Sequence, residues 1–217
     1  MKFNKVLLKK TLKDDKLNFI YQSIKNIKNL KILEFGVREG ISTNMYLSIC
    51  ERNKGKLVSV DVDDCSHLFK NKNWTFLHCR DDNFQIIRKY IKKLDIIYID
   101  SFHEPNHIKK IFYYYYNFLK PNGYIFIDDI SWLPYIKKSY RENSFNEVIN
   151  RNTFNKLLEI YFSNRKNMNI EFNFQASGTA KIQKKNNSKL KEPFKIFNYK
   201  KSLKYNLKKY FRRLPKK

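Results

Sequence analysis

The stretch Lys31-Ile-Leu-Glu-Phe-Gly-Val-Arg-Glu-Gly40 constrains this chain more than any other. Ile32, Leu33 and Phe35 form a short apolar run of the kind buried on both faces of a parallel sheet, and Gly36 and Gly40 bracket the turn behind it. Glycine there lets backbone N–H groups approach a ligand closely, and a helix starting near Ile41 adds its positive end. The segment reads as the first strand of a nucleotide-binding α/β domain. A dinucleotide fingerprint would need glycine at position 38, where Arg38 stands, so nicotinamide and flavin lose their best support. What remains is E-x-G-x-x-x-G-x-S at Glu34, Gly36, Gly40 and Ser42, a pattern that a plain strand-turn-helix in another α/β protein also satisfies.

Periodicity organises the rest. Asp14-Asp15 can cap a helix running to about Asn29, whose Leu17, Ile20, Tyr21, Ile24 and Ile27 recur at helical spacing, as a lid or a packing helix. After a helix from Ser42 to about Glu51, Lys56–Val62 and Trp74–Cys79 read as strands. A helix over Phe84–Lys92 and a strand over Leu94–Asp100 follow. Pro105 suits the first turn of the next helix, which leads to the Pro121-Asn122-Gly123 turn and a fifth strand over Gly123–Asp129. This alternation implies a parallel sheet with helices on both faces. Beyond it, Phe145–Phe162 predicts a long helix, and Asn169–Gln175 with Thr179–Gln183 predict an antiparallel hairpin turning at Ala176-Ser177-Gly178. The expected organisation is a helical segment over 1–30, a ligand-binding domain over 31–185 and a basic tail over 186–217.

The formal charge of +25 invites a polyanion partner. The surplus concentrates at the ends: residues 1–30 hold eight lysines against Asp14 and Asp15, and residues 186–217 hold twelve Lys and Arg against Glu192. In the tail Tyr199, Leu203, Leu207, Tyr210 or Phe211, and Leu214 recur every three or four residues among basic ones, a pattern suited to an anionic membrane surface, to another polyanion partner, or simply to a solvated helix or a disordered tail. The abundance of Lys, Asn, Ile, Phe and Tyr also fits an AT-biased genome, which weakens charge as a clue. Three cysteines, Cys50, Cys65 and Cys79, form no C-x-x-C pair, and an odd count suits reduced thiols in the cytoplasm. Val6-Leu7-Leu8 is too short for a signal-peptide core, and no apolar run approaches the roughly 20 residues of a membrane span.

Ligands of open α/β sheets bind outside the carboxyl ends of the strands, and this chain places acids there repeatedly. Asp61 follows the second strand, Asp81 and Asp82 the third, Asp100 the fourth, and Asp128 and Asp129 the fifth. Clustered carboxylates repel, so they need a cation or donors to share. Asp61 suits a ribose diol, and Asp100, Asp128 and Asp129 offer hard oxygens suited to Mg²⁺ or a similar divalent ion. His103 is placed to act as a base beside Asp100 or to cap the helix at Pro105. His103 and His107 stand four apart, but Pro105 starts the helix between them, which disfavours a zinc pair. Trp132 and Tyr135 suit an acceptor-pocket wall or core packing.

From about Lys31 to Lys185 the chain resembles the class I S-adenosylmethionine-dependent methyltransferases, in particular the metal-dependent O-methyltransferases of the catechol, caffeoyl-CoA and macrocin type. The resemblance implies a Rossmann-like sheet, mostly parallel with a C-terminal antiparallel hairpin. Glu34, Gly36, Gly40 and Ser42 would meet the methionine part of the cofactor. Asp61 would meet the ribose, and Asp81, with Asp82 as the register alternative, would lie by the adenine. Ile-Asp-Ser-Phe-His103 implies a metal ligand at Asp100 and a catalytic base at His103, and Ile-Asp-Asp129 implies metal ligands at Asp128 and Asp129. The catechol-type enzymes usually carry Asn in place of Asp129 and often Lys in place of His103. The expected activity is methylation of a hydroxyl on a small molecule or glycan. The rivals are an RNA or protein methyltransferase, for which the chain lacks an Asn-Pro-Pro-aromatic motif, and a non-catalytic basic binding module on the same fold.

Overall fold

A computed structural model describes residues 3–132, 144–196 and 203–213. The strands are β1 (Lys31–Phe35), β2 (Lys56–Asp61), β3 (Trp74–His78), β4 (Leu94–Ile99), β5 (Leu119–Asp128), β6 (Met168–Asn173) and β7 (Thr179–Lys184). They form one sheet in the order β3-β2-β1-β4-β5-β7-β6. The first five are parallel; β7 runs antiparallel between β5 and β6. The helices are α1 (Lys5–Thr11), α2 (Asp15–Ile24), α3 (Ile41–Asn53), α4 (Phe84–Ile87), α5 (Pro105–Tyr116), α6 (Ser144–Asn164) and α7 (Leu203–Arg213). This is the expected Rossmann-like methyltransferase sheet with its C-terminal hairpin.

Alternation along β4 divides the molecule into two apolar cores. Ile96 and Tyr98 face Leu17, Ile20 and Ile24 of α2 and Met45, Tyr46 and Ile49 of α3. Ile97 and Ile99 face Ile108, Ile111, Phe112 and Tyr115 of α5 and Leu157 and Ile160 of α6. Each of these side chains is buried, contributing on the order of 2 kcal/mol apiece relative to an exposed position. Residues 3–30 therefore pack against the sheet and α3, and α2 is a packing helix.

Several boundaries differ from the periodic reading. α2 ends at Ile24, and Asn29 then takes a left-handed φ of 55° on the way into β1. α1, seven residues long, is a helix that the sequence reading leaves out, capped by Asn4, whose Oδ1 accepts from the amides of Val6 and Leu7. α4 closes at Ile87 because the next amides bond three residues back, Lys89 to Ile86 and Tyr90 to Ile87, tightening the chain toward β4. β5 starts at Leu119, with an irregular register opposite Leu94 and Ile96 that absorbs the Pro121-Asn122-Gly123 turn. The first part of the tail is strapped to α6: the amides of Lys191, Phe194 and Ile196 donate to Asn164, Ser163 and Glu159. Among the described residues no helix is long and apolar enough to cross a membrane.

Candidate active site

The carboxyl ends of β1, β2, β4 and β5 open onto two cavities of about 680 and 490 Å³, which share Gly36, Arg38, Asp100 and Ser101 in their walls. These volumes lie in the range of small-molecule sites. Gly36 is required where the two meet. Its φ is +91°, and a Cβ there would lie 2.0 Å from the carbonyl oxygen of Asp100. Gly40 has φ +75°, and a Cβ would meet the Phe69 ring at 2.7 Å.

Glu34 shapes this turn from beneath. Its side chain is fully buried; Oε1 accepts from Ser42 Oγ at 2.6 Å, and Oε2 from Thr43 Oγ1 at 2.8 Å and Ser59 Oγ at 2.6 Å. Burial pushes its pKa up to about 7 against the pull of the three hydroxyls. The Glu34 carboxylate and the Ser42 hydroxyl face each other, and with Thr43 they clamp β1 to α3. Ser42 and Gly36 still line the larger cavity.

The smaller cavity carries Asp61 and Asp81. Asp61 Oδ2 accepts the amides of Val37 at 2.6 Å and Arg38 at 3.0 Å, and Oδ1 accepts Asp63 N at 3.0 Å. Partial burial raises its pKa, but these backbone donors outweigh it and hold the group below the usual carboxylate range, ionised and with lone pairs left for a diol. Asp81 is the cavity residue of the two register alternatives. Both of its oxygens lie 2.9 Å from His107 Nε2, and Ser101 Oγ donates to Oδ2 at 2.5 Å. Asp82 turns outward to Arg80 and Lys110, which hold its pKa down at about 2.

The larger cavity carries Asp100, His103 and Asp129, with Asp128 buried directly behind. His103 Nε2 lies 3.5 Å from both Asp100 Oδ1 and Asp129 Oδ2. The cap of α5 is Glu104, whose carboxylate accepts the amides of Asn106 and His107, so His103 is released from capping. His103 and His107 address different carboxylates. Burial lowers the pKa of His103, but Asp100, Asp129 and Asp128 outweigh it and raise it above the ordinary value. Asp100 is pushed upward by burial and by Asp128. Asp129 sits at φ 56°, a left-handed conformation that Asp and Asn tolerate better than other side chains. Trp132 packs against Phe154 and Phe174, with ring centroids 4.1 and 5.4 Å away, so it belongs to an aromatic cluster. Tyr135 lies outside the described residues.

Three residues that periodicity left unmarked complete this side. Lys16, at the start of α2, forms an ion pair with Asp128 Oδ2 and donates to Ser177 Oγ at 3.2 Å. Ser177 Oγ donates to Asp128 Oδ1 at 3.3 Å. Tyr98 donates its hydroxyl to Asp100 Oδ2 at 3.0 Å and lies 3.4 Å from Asp128 Oδ2. A hydroxyl within the apolar run of β4 was a readable signal; Lys16 was one lysine among eight. Asp100, Asp128 and Asp129 follow the neighbouring strands β4 and β5, and both oxygens of Asp128 are taken by Lys16 and Ser177. Among the described residues no group of three Asp, Glu, His or Cys is arranged to hold a metal. The donor set does not fit the expected Mg²⁺, because an ammonium already occupies the deepest carboxylate.

Comparisons with known proteins agree with the fold. Residues 33–130 match the family described as methyltransferase domain. MycE, a methyltransferase from the mycinamycin biosynthetic pathway solved with Mg, S-adenosylhomocysteine and mycinamycin VI, is 19% identical with a TM-score of 0.57, over 81% of this chain and 50% of that one. The chain thus spans about half the length of MycE. A putative caffeoyl-CoA O-methyltransferase from Staphylococcus aureus is 18% identical with a TM-score of 0.61, over 83% of this chain and 93% of the other. The S-adenosylhomocysteine-bound methyltransferase PaMTH1 from Podospora anserina is 13% identical with a TM-score of 0.64, over 83% and 86%. No curated protein matches the sequence. Residues 33–130 thus match a methyltransferase domain, and the fold of the chain is similar to that of these methyltransferases.

Proposed function

We propose that the protein transfers a methyl group to a hydroxyl of a small molecule or glycan. The observation that carries this reading is His103 Nε2 standing between Asp100 and Asp129 on the wall of the larger cavity, next to Gly36. The Gly36 turn, Asp61 and the cavity beside Asp81 would hold S-adenosylmethionine, which would supply an electrophilic methyl carbon and leave as S-adenosylhomocysteine. His103 in its neutral form takes the acceptor's hydroxyl proton. Asp100 and Asp129 then stabilise the imidazolium. Most of the acceleration comes from holding acceptor and methyl donor in line at the meeting point of the cavities.

The test is methyl transfer from labelled S-adenosylmethionine to a panel of glycoside and phenolic acceptors, with total RNA and basic protein as competitors. Label on a hydroxyl that His103→Ala abolishes supports the reading. Label only on RNA or protein replaces it.

The tail has a separate proposed role. Leu203, Leu207 and Tyr210 of α7 are 82%, 56% and 65% exposed, one turn apart, in a helix rich in Lys and Arg. That pattern supports docking to an anionic membrane surface that carries the acceptor, with the protein peripheral to the cytoplasmic face.

A further inference from the structure

Three carboxylates converge at the ends of β4 and β5, and such a cluster needs positive charge close by. The structure supplies it from another part of the chain. Asp14 caps α2 through the amides of Lys16 and Leu17, and Leu17 and Ile20 anchor the helix in the core, so the start of α2 is fixed over the carboxyl edge of the sheet. From there Lys16 reaches Asp128, a residue 112 positions later, with only 15% of its side chain exposed. An ammonium has three N–H donors. Asp128 and Ser177 receive two, and the side chain lines the larger cavity together with Tyr98, Asp100, His103 and Asp129.

We propose that Lys16 takes the place of a divalent ion in this site: its ammonium holds Asp128 and offers its remaining N–H to the acceptor oxygen. Lys16 thereby orients the hydroxyl toward His103 Nε2 and stabilises the negative charge that grows on oxygen as the proton leaves. The role in catalysis rests on the methyltransferase reading; the occupation of the carboxylates by Lys16 does not. The consequence is a transfer site independent of added metal, with the segment before β1 built into it. The charge of Lys16 cannot diffuse away, whereas a bound ion exchanges with solution.

The experiment is Mn²⁺ titration of the full chain, followed by the electron paramagnetic resonance signal of free Mn²⁺. It compares wild type, Lys16→Met, Lys16→Arg, Asp128→Asn, and Lys16→Met combined with Asp128→Asn. Wild type and Lys16→Arg are expected to leave Mn²⁺ free at submillimolar concentration. Removing the ammonium in Lys16→Met should expose the three carboxylates and tighten Mn²⁺ binding by roughly tenfold or more, and Asp128→Asn should reverse the gain. Stoichiometric Mn²⁺ uptake by wild type that depends on Asp128 overturns the proposal, as does a Lys16→Met variant that binds no better than wild type. Should Lys16→Met fail to fold, Lys16→Gln takes its place, and the wild-type titration still decides the first point. Neither cofactor nor acceptor enters the measurement, so its failure leaves the methyltransferase reading intact, and a failure of that reading leaves this result standing.

Discussion

Two carboxylates, one in each half of the carboxyl edge, Asp61 and Asp128, are handled in opposite ways. At the end of β2, Asp61 is held by backbone amides, those of Val37, Arg38 and Asp63, whereas at β3 Asp81 is held by the side chains of His107 and Ser101. At β4 and β5 the carboxylates face groups able to carry positive charge, His103 and Lys16, the second brought in from α2. Fixed backbone donors suit a task that repeats unchanged in each turnover, such as gripping a ribose. Side chains that exchange protons or reach toward a ligand suit the step in which charge moves.

Gly36 belongs to both halves, so it offers the most severe way to break the distinction. Gly36→Ala forces a left-handed alanine against the Asp100 carbonyl. Destabilisation of about 2 kcal/mol or more is expected in urea unfolding, with loss of both cofactor binding and methyl transfer. His103→Ala separates the halves. Methyl transfer should fall about 10²- to 10⁴-fold while S-adenosylhomocysteine still binds, as checked by single-turnover rates beside calorimetry.

A pH profile sharpens the same contrast. His103 has a raised pKa and must be neutral to accept a proton. The rate should therefore rise with pH through a value above 6.5, and the cofactor affinity set by the low pKa of Asp61 should stay flat over that window. Beneath both halves, Glu34 contributes a stability dependence of its own. Its pKa is raised from 4.5 to about 7, so its contribution is fully present below pH 4.5 and is lost as pH rises through about 7, a change of about 3 kcal/mol at most. Glu34→Gln should flatten the unfolding free energy across that interval. The smallest effect concerns the tail: truncation after Ile196 should abolish sedimentation with vesicles of phosphatidylserine and phosphatidylcholine and leave cofactor binding unchanged.

The difference between the halves also explains what could be read in the sequence. β1, the Gly36 turn and the acids at each strand end follow from local patterns, because a strand buried on both faces and a tight turn impose composition on consecutive residues. The hairpin at Ala176-Ser177-Gly178 was legible for the same reason. The pairing of Lys16 with Asp128 spans 112 positions and depends on how α2 crosses the sheet, and no local spacing encodes that. Glu34 and Ser42 were recognised as a motif, but the motif was silent on whether they face the cavity or each other. Glu34 is buried against three hydroxyls, one of them that of Ser42, which also lines the larger cavity.

The central claim is that the Gly36 turn and Asp61 hold the adenosyl cofactor. Calorimetric titration of S-adenosylhomocysteine into the purified chain tests it most directly, with Asp61→Ala alongside. The account predicts a dissociation constant on the order of micromolar in wild type, unchanged by EDTA, and no measurable heat with Asp61→Ala. Absence of binding to wild type, with or without Mg²⁺, would contradict it.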